Sequence, residues 1–129
     1  MGNKGKVLLV DDESDTFGPF EVKLKEAGYE VFTAVTGVEA LETIKKEKPD
    51  LLVLDIRMPR LNGEDLLQRM RDEEISPATK VIIATGVSDY GRTEERITKN
   101  FNIAYYLEKP LIIKDFLEKV RLTVGEGKD

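Results

Sequence analysis

Five polar residues stand where short apolar runs of this 129-residue chain end. Two acids follow the first run, a third acid follows the third run, a threonine ends the fourth, and a lysine comes just after the fifth: Asp11, Asp12, Asp55, Thr85 and Lys109. If the three carboxylates converge, they repel one another unless a cation or a proton lies among them. A hard divalent ion with oxygen ligands meets this need, and Mg²⁺ fits best. A lysine and a hydroxyl beside such an ion suit a phosphoryl group, whose transfer needs alignment and neutralised oxygens more than covalent help.

Asp55 is the acid best placed for covalent chemistry. The run Leu51–Leu54 before it has no polar alternation, which is typical of a strand covered on both faces. Pro59 cannot continue a strand ladder, so the chain must leave the sheet near Asp55. The acid therefore stands at the carboxyl end of a central strand, where open α/β sheets bind their ligands. We expect Asp55 to be a nucleophile that forms an aspartyl phosphate.

The other four residues receive supporting roles around Asp55. We expect Asp12 to be a direct metal ligand and Asp11 to be an outer one, acting through water. Thr85 donates to one phosphoryl oxygen, and Lys109 pairs with another.

Apolar periodicity predicts the elements that position these residues. Five strands are predicted, over residues 7–10, 30–35, 51–54, 80–84 and 103–107. Five helices alternate with them: four over residues 17–27, 38–48, 93–101 and 113–124, and one after Asn62–Gly63 that includes Leu66, Leu67 and Met70. Such alternation predicts an α/β fold with a parallel sheet and right-handed crossovers. The flavodoxin-like, doubly wound order 2-1-3-4-5 makes strands one and three neighbours at the topological switch point, which brings Asp11, Asp12 and Asp55 into one crevice.

Composition limits the function classes. Hydrophobic residues make up 40% and charged residues 35%, which describes a soluble globular protein, and a net charge of −5 argues against a nucleic-acid module. The absence of Cys and His excludes disulfides, thiolate chemistry and His-ligated zinc. The first apolar run is too short for a signal or membrane segment, so we expect a cytoplasmic protein. One domain is expected over 1–129, with its core over about 6–124 and a frayed tail at 125–129.

Four pieces of the chain resemble, in order, the motifs of a known family. They are Val7–Glu13, Leu54–Pro59 followed by Gly63, Ala84–Gly86, and Tyr106–Pro110. Each piece alone is a weak signal, but four in this order at these separations are specific. From about Lys6 to Val124 the chain is similar to the receiver domain of two-component response regulators, a class that includes stand-alone chemotaxis-type regulators.

The resemblance implies a phosphoacceptor signalling switch and not an enzyme. Asp55 would accept a phosphoryl group from a sensor histidine kinase or phosphotransfer protein, with Mg²⁺ as cofactor. The backbone carbonyl of Arg57 would be a further metal ligand, and Lys109–Pro110 would be a cis peptide. Tyr106 would be a switch aromatic that turns inward when Thr85 moves to the phosphoryl group.

The resemblance also implies how the signal leaves the domain. Phosphorylation would shift a two-state equilibrium at the helix over 93–101, the fifth strand and the last helix. The output would be a downstream protein target, with no nucleic acid and no membrane, and the chain would be a monomer or a phosphorylation-dependent dimer. We expect no output domain after Val124, so that the chain either acts through protein contact or is a piece of a longer regulator.

Plainer interpretations stand beside these roles. The Asp11–Asp12 pair could cap the first helix, and Thr85 could lie in a simple turn. Tyr106 could be ordinary half-buried packing, and since neighbouring Tyr105 points to the opposite face, register decides which ring is the switch. Gly18–Pro19 departs from the family pattern, so the first helix either begins at Pro19 or is distorted there.

Two other function classes fit the residues less well. A Mg²⁺-dependent phosphohydrolase would need a second acid two residues after the nucleophile, where Arg57 stands. A pure interaction module would not need the full set of acids, threonine and lysine.

Overall fold

A computed structural model describes residues 4–11, 17–55, 63–86, 95, 97 and 99–125 of the chain. Strands and helices alternate along it. They are β1 (Lys6–Val10), α1 (Gly18–Glu26), β2 (Glu30–Ala34), α2 (Gly37–Glu47), β3 (Leu51–Leu54), α3 (Gly63–Asp72), β4 (Lys80–Thr85), β5 (Tyr105–Glu108) and α4 (Ile113–Val124). Among the described helices, none combines the length and the apolar character that crossing a bilayer requires.

The five strands form one parallel sheet in the order β2-β1-β3-β4-β5. This confirms the predicted flavodoxin-like topology, with β1 and β3 as neighbours. Val10 lies opposite both Ala34 of β2 and Leu54 of β3. The carboxyl ends of β1 and β3 are therefore level, and the residue after each strand emerges at the same point of the sheet edge.

Side chains of the central strands are buried on both faces of the sheet. In β1 and β3, Leu8, Val10, Leu52 and Leu54 pack with α2 and α3, whereas Val7, Leu9, Leu51 and Val53 pack with α1 and α4. This double coverage explains why these strands have no polar alternation in the sequence. Each buried leucine or valine contributes about 1.5–3 kcal/mol relative to an exposed one, so the sheet holds its edge residues on a rigid base.

The start of α1 resolves the alternative posed by Gly18–Pro19. The helix begins at Gly18 and carries Pro19 in its first turn, where the missing N–H costs no helical hydrogen bond. Phe17 precedes the helix and is buried in the core between α1, α4 and the sheet.

Most predicted elements differ from the observed ones by one to three residues at an end, and two of them show why. The fifth strand begins at Tyr105 and not at Ile103, because Ile103 packs against the core before the ladder forms. Of the helix predicted over 93–101, residues 95, 97, 99 and 100 are helical, and residues 93, 94, 96 and 98 lie outside the described residues. Five helices are predicted, and the described residues contain four helices with both of their ends. The predicted frayed tail also lies outside it, apart from Gly125.

Candidate functional site

The register of β1 and β3 brings two acids together at the carboxyl edge of the sheet. The backbone N–H of Asp55 donates to the carbonyl of Val10 at 3.0 Å, and that of Asp11 donates to the carbonyl of Ala34 at 3.2 Å. Each acid thus extends the ladder by one residue beyond its strand. Asp11 is fully buried, and Asp55 is 8% exposed. Two carboxylates therefore stand side by side, largely withdrawn from water.

The ammonium group of Lys109 forms ion pairs with both acids. Lys109 follows β5 directly, and its Nζ donates to Asp11 Oδ2 at 2.5 Å and to Asp55 Oδ2 at 3.2 Å. The Lys109–Pro110 peptide is cis, as the resemblance implies. Lys109 is 98 residues from Asp11 and 54 residues from Asp55 along the chain, so these contacts exist only when the sheet has folded.

The two acids also set the protonation of Lys109. Burial by itself would lower the pKa of the ammonium, but the hydrogen bond to Asp11 and the charge of Asp55 outweigh burial, so the pKa is raised above 10.5. Lys109 is therefore a firmly charged cation at neutral pH. The three groups keep one net negative charge, because two carboxylates face one ammonium.

This donor set fits a magnesium ion. A net negative charge among buried oxygens is costly without a further cation, and carboxylate oxygens are the ligands that Mg²⁺ prefers. Asp11 and Asp55 supply such oxygens here, whereas the other predicted ligands, Asp12 and Arg57, lie outside the described residues. Accordingly, no group of three acidic side chains converges within the described ranges.

The backbone of Thr85 ends β4 next to the lysine. Its Cα pairs with that of Glu108, the residue before Lys109. The Thr85 side chain lies outside the described residues, so its predicted donation to a phosphoryl oxygen stays a prediction.

Register separates the two neighbouring tyrosines of β5. Tyr106 packs on the core cluster that contains Ile97 and Phe101, on the face of the 95–100 helical segment. Tyr105 packs on the opposite cluster, where Lys119 Nζ lies 5.5 Å from its ring centroid. Of the two rings, Tyr106 is the one that packs against the 95–100 segment, and its role as a switch stays a prediction.

A cleft of about 420 Å³ opens beside Lys109 and is lined by Phe20, Lys109, Pro110 and Leu111. Phe20 of α1 reaches this position because its ring packs edge-on against Phe116 of α4, with centroids 5.3 Å apart. Sequence reasoning did not connect Phe20 with the site, since its spacing indicates only a core-facing helix position. The sole signal in the sequence is its place on the helix that follows Asp11 and Asp12.

Comparison with known sequences yields one family. The family model described as the response regulator receiver domain matches residues 7–121. The probable transcriptional regulator ycf27 of Cyanophora paradoxa is 38% identical over 120 residues, which are 92% of this chain and 48% of that protein. The transcriptional regulatory protein PrrA of Mycobacterium bovis is 34% identical over 118 residues, 90% of this chain and 48% of that protein. The chain thus spans about half the length of the curated relatives it matches.

Solved structures show the same similarity. A CheY-like response regulator receiver domain protein from Methanospirillum hungatei has a TM-score of 0.82 at 30% identity and covers 94% of each chain. A response regulator receiver domain protein from Clostridium thermocellum has a TM-score of 0.80 at 28% identity, covering 92% of this chain and 93% of the other.

Proposed function

Since the chain belongs to the response regulator receiver domain family, whose members are phosphoacceptor signalling switches, we propose that Asp55 is its phosphoacceptor. The observation that carries this proposal is the contact of Lys109 Nζ with Asp11 Oδ2 at 2.5 Å and with Asp55 Oδ2 at 3.2 Å. It supports a site in which one carboxylate is reachable, the other is buried, and a fixed cation stands between them.

The proposed reaction is a transfer of one phosphoryl group from a phosphohistidine. An Asp55 carboxylate oxygen attacks phosphorus, the phosphorus–nitrogen bond breaks, and the imidazole leaves after taking up one proton. Lys109 then pairs with a phosphoryl oxygen in place of the Asp55 carboxylate, and Thr85 donates to another. Asp11 stays paired with Lys109 and holds its ammonium at the site.

Magnesium is the proposed cofactor. Asp11, Asp12, Asp55 and the carbonyl of Arg57 would hold the ion, which supplies positive charge to the phosphoryl oxygens when bound. The net negative charge of the described cluster supports this assignment.

The donor in this proposal is a sensor histidine kinase or a phosphotransfer protein, and the protein acts in the cytoplasm as a monomer or a phosphorylation-dependent dimer. Its role is signalling, with no turnover of outside substrates. Tyr106 is proposed as the switch aromatic, which its position on the face of the 95–100 segment supports.

The relatives favour transcription as the output of a longer protein. They are named as transcriptional regulators, and this chain matches about half of each. Their names conflict with the expectation that nucleic acid has no part in the function. We therefore restrict that expectation to residues 7–121, the part that matches the receiver family.

The test is phosphorylation of the purified protein by an acyl phosphate in the presence of Mg²⁺. We expect intact-mass spectrometry to show one added phosphoryl group on wild type, none on Asp55→Asn, and one on Asp65→Asn. Asp65 is a suitable control because it is an exposed acid of α3, outside the site. Equal incorporation by wild type and Asp55→Asn would refute Asp55 as the acceptor.

A further inference from the structure

A side-chain hydrogen bond of Arg71 links α3 to the chain beyond β4. Its Nη1 donates to the carbonyl oxygen of Asn100 at 3.3 Å, across 29 residues of sequence. Its guanidinium carbon lies 4.9 Å from the centroid of the Phe101 ring, a cation–π contact. Its Nε donates to Asp72 Oδ1 at 3.1 Å, which orients the guanidinium toward the segment.

The group held by Arg71 is the end of the 95–100 helical segment. The N–H of Phe101 donates to the carbonyl of Ile97 at 2.9 Å, which closes the last turn of that segment. Ile97 is fully buried, and Phe101 and Tyr106 are partly buried against the same core cluster. Any displacement of this segment therefore changes the surroundings of Tyr106.

An open cleft borders the contact between α3 and this segment. A cleft of about 370 Å³ lies between them, and its walls include Leu67, Met70, Val81 and Phe101, with Arg71 also lining it. Close-packed interfaces resist displacement, whereas a gap of this size leaves room for the segment to move. Buried Ile97 anchors the segment in the core cluster that it shares with α3, and the Arg71 contact adds a second tie at the exposed rim.

We propose that Arg71 is a positioning residue that holds the 95–101 segment against α3 and so disfavours phosphorylation at Asp55. The inference rests on the function proposed above. In the arrangement described, Lys109 is bound to the carboxylate of Asp55, a contact that a phosphoryl group on Asp55 would replace, and the Arg71 contact is present in that same arrangement. A contact made in only one of two states favours that state, and its loss favours the other.

The contact of Arg71 with the 95–101 segment can open reversibly, and its loss should still have a measurable effect. The Arg71 side chain is 50% exposed, so its stacking and its hydrogen bond are both in reach of water. Contacts of this kind change an equilibrium constant by about three- to tenfold.

The experiment compares Arg71→Met with Arg69→Met. Methionine keeps an unbranched apolar side chain and removes the charge. Arg69 is the matched control, because it also lies in the last turn of α3 and pairs with Glu73 at 3.0 Å on its own helix turn. Amide hydrogen exchange over 97–101 and the initial rate of phosphorylation by an acyl phosphate are measured on each 129-residue protein.

We expect Arg71→Met to raise both the exchange and the phosphorylation rate about three- to tenfold, with Arg69→Met unchanged. Arg71→Lys should lie between wild type and Arg71→Met, since it keeps a cation near the Phe101 ring. If Arg71→Met exchanges faster but its phosphorylation rate is unchanged, Arg71 only stabilises the segment and does not affect phosphorylation. That result would overturn the proposal. Identical behaviour of the Arg71 and Arg69 variants would overturn it as well.

A double-mutant cycle with Phe101→Leu tests the stacking contact. Leucine keeps an apolar side chain but removes the ring, so Arg71→Met should have a smaller effect in that background. Full additivity would show that Arg71 acts elsewhere and would also refute the proposal. If wild type takes up no phosphoryl group at all, the proposed function fails and the coupling fails with it, whereas hydrogen exchange still decides whether Arg71 holds the segment.

Discussion

Lys109 has two acidic partners, and this explains why it is held so firmly. Asp11 is fully buried and Asp55 is 8% exposed, so removing the ammonium would leave two facing carboxylates with little water around them. Removing one member of a buried charge cluster is strongly destabilising, because the remaining charges stay uncompensated. In the proposed function, Lys109 exchanges one of these carboxylate partners for a phosphoryl oxygen.

The raised pKa of Lys109 predicts how stability depends on alkaline pH. Its pKa is higher in the folded protein than the value of 10.5 for the free side chain, because its bonds to Asp11 and Asp55 outweigh burial. The folded state therefore binds this proton more tightly than the unfolded chain does. The resulting stability is complete below pH 10.5 and is lost as pH rises through the folded-state pKa.

The measurement is the free energy of urea unfolding for wild type and Lys109→Met across this alkaline range. Subtracting the variant removes the titration of the other lysines and tyrosines. We expect the difference between the two proteins to be constant near neutral pH and to shrink above pH 10.5. A difference that is independent of pH would contradict the assigned pairing.

At the scale of the element, α2 shows how local sequence sets a helix start. Thr36 is the N-cap, and its Oγ1 accepts from the N–H of Glu39 at 3.1 Å. Glu39 Oε1 accepts in turn from the N–H of Val35 at 2.9 Å. Apolar periodicity predicts a helix from residue 38, whereas the Thr-x-x-Glu pattern specifies its start at Gly37, directly after the cap.

We predict that Thr36→Ala lowers the free energy of unfolding by about 1 kcal/mol, because the N–H of Glu39 loses its acceptor. Thr43→Ala in the same helix is the control. Thr43 Oγ1 only donates to the carbonyl of Glu39 within the helix, so its loss should change stability by less than about 0.5 kcal/mol. Urea unfolding of both variants checks this, and equal losses would argue against the cap.

Element types were predictable because the strands are either fully apolar or alternating, and each helix carries an apolar stripe. The bounds of β3 and α4 match the predicted ranges. The start of β5 was predicted two residues early, since Ile103 is apolar whether it lies in the ladder or only packs against the core. Apolar patterning records burial, and it does not record which residues pair.

At the scale of the whole molecule, Gly5 joins three distant segments near the amino ends of the strands. Its φ is +143°, and a Cβ there would lie 2.8 Å from Val124 Cγ1 and 3.1 Å from Asp50 Oδ2. Asp50 Oδ2 also accepts from the N–H of Lys6 at 2.8 Å. A side chain at position 5 would therefore disturb the docking of α4 and the start of β1 together.

We predict that Gly5→Ala lowers the free energy of unfolding by about 2–4 kcal/mol, through backbone strain and the clash with Val124. Gly18→Ala is the control. A Cβ at Gly18 would have no atom within 4 Å, and its place in the first turn of α1 favours alanine. Chemical denaturation should give a clearly lower free energy of unfolding for Gly5→Ala than for Gly18→Ala. If Gly5→Ala were as stable as wild type, the backbone at position 5 would have relaxed to avoid the clash.

The fold class, the sheet order and the place of Asp11, Asp55 and Lys109 at the carboxyl edge could be predicted from the amino-acid sequence. Doubly buried strands ending in acids, with helices between them, leave few topologies for a chain of this length. The sequence could not determine that Lys109 contacts both acids, that Tyr106 lies on the face of the 95–100 segment, or that Arg71 meets Phe101. Those contacts join residues far apart in the chain, and their existence depends on strand register and helix docking, which local patterning does not encode.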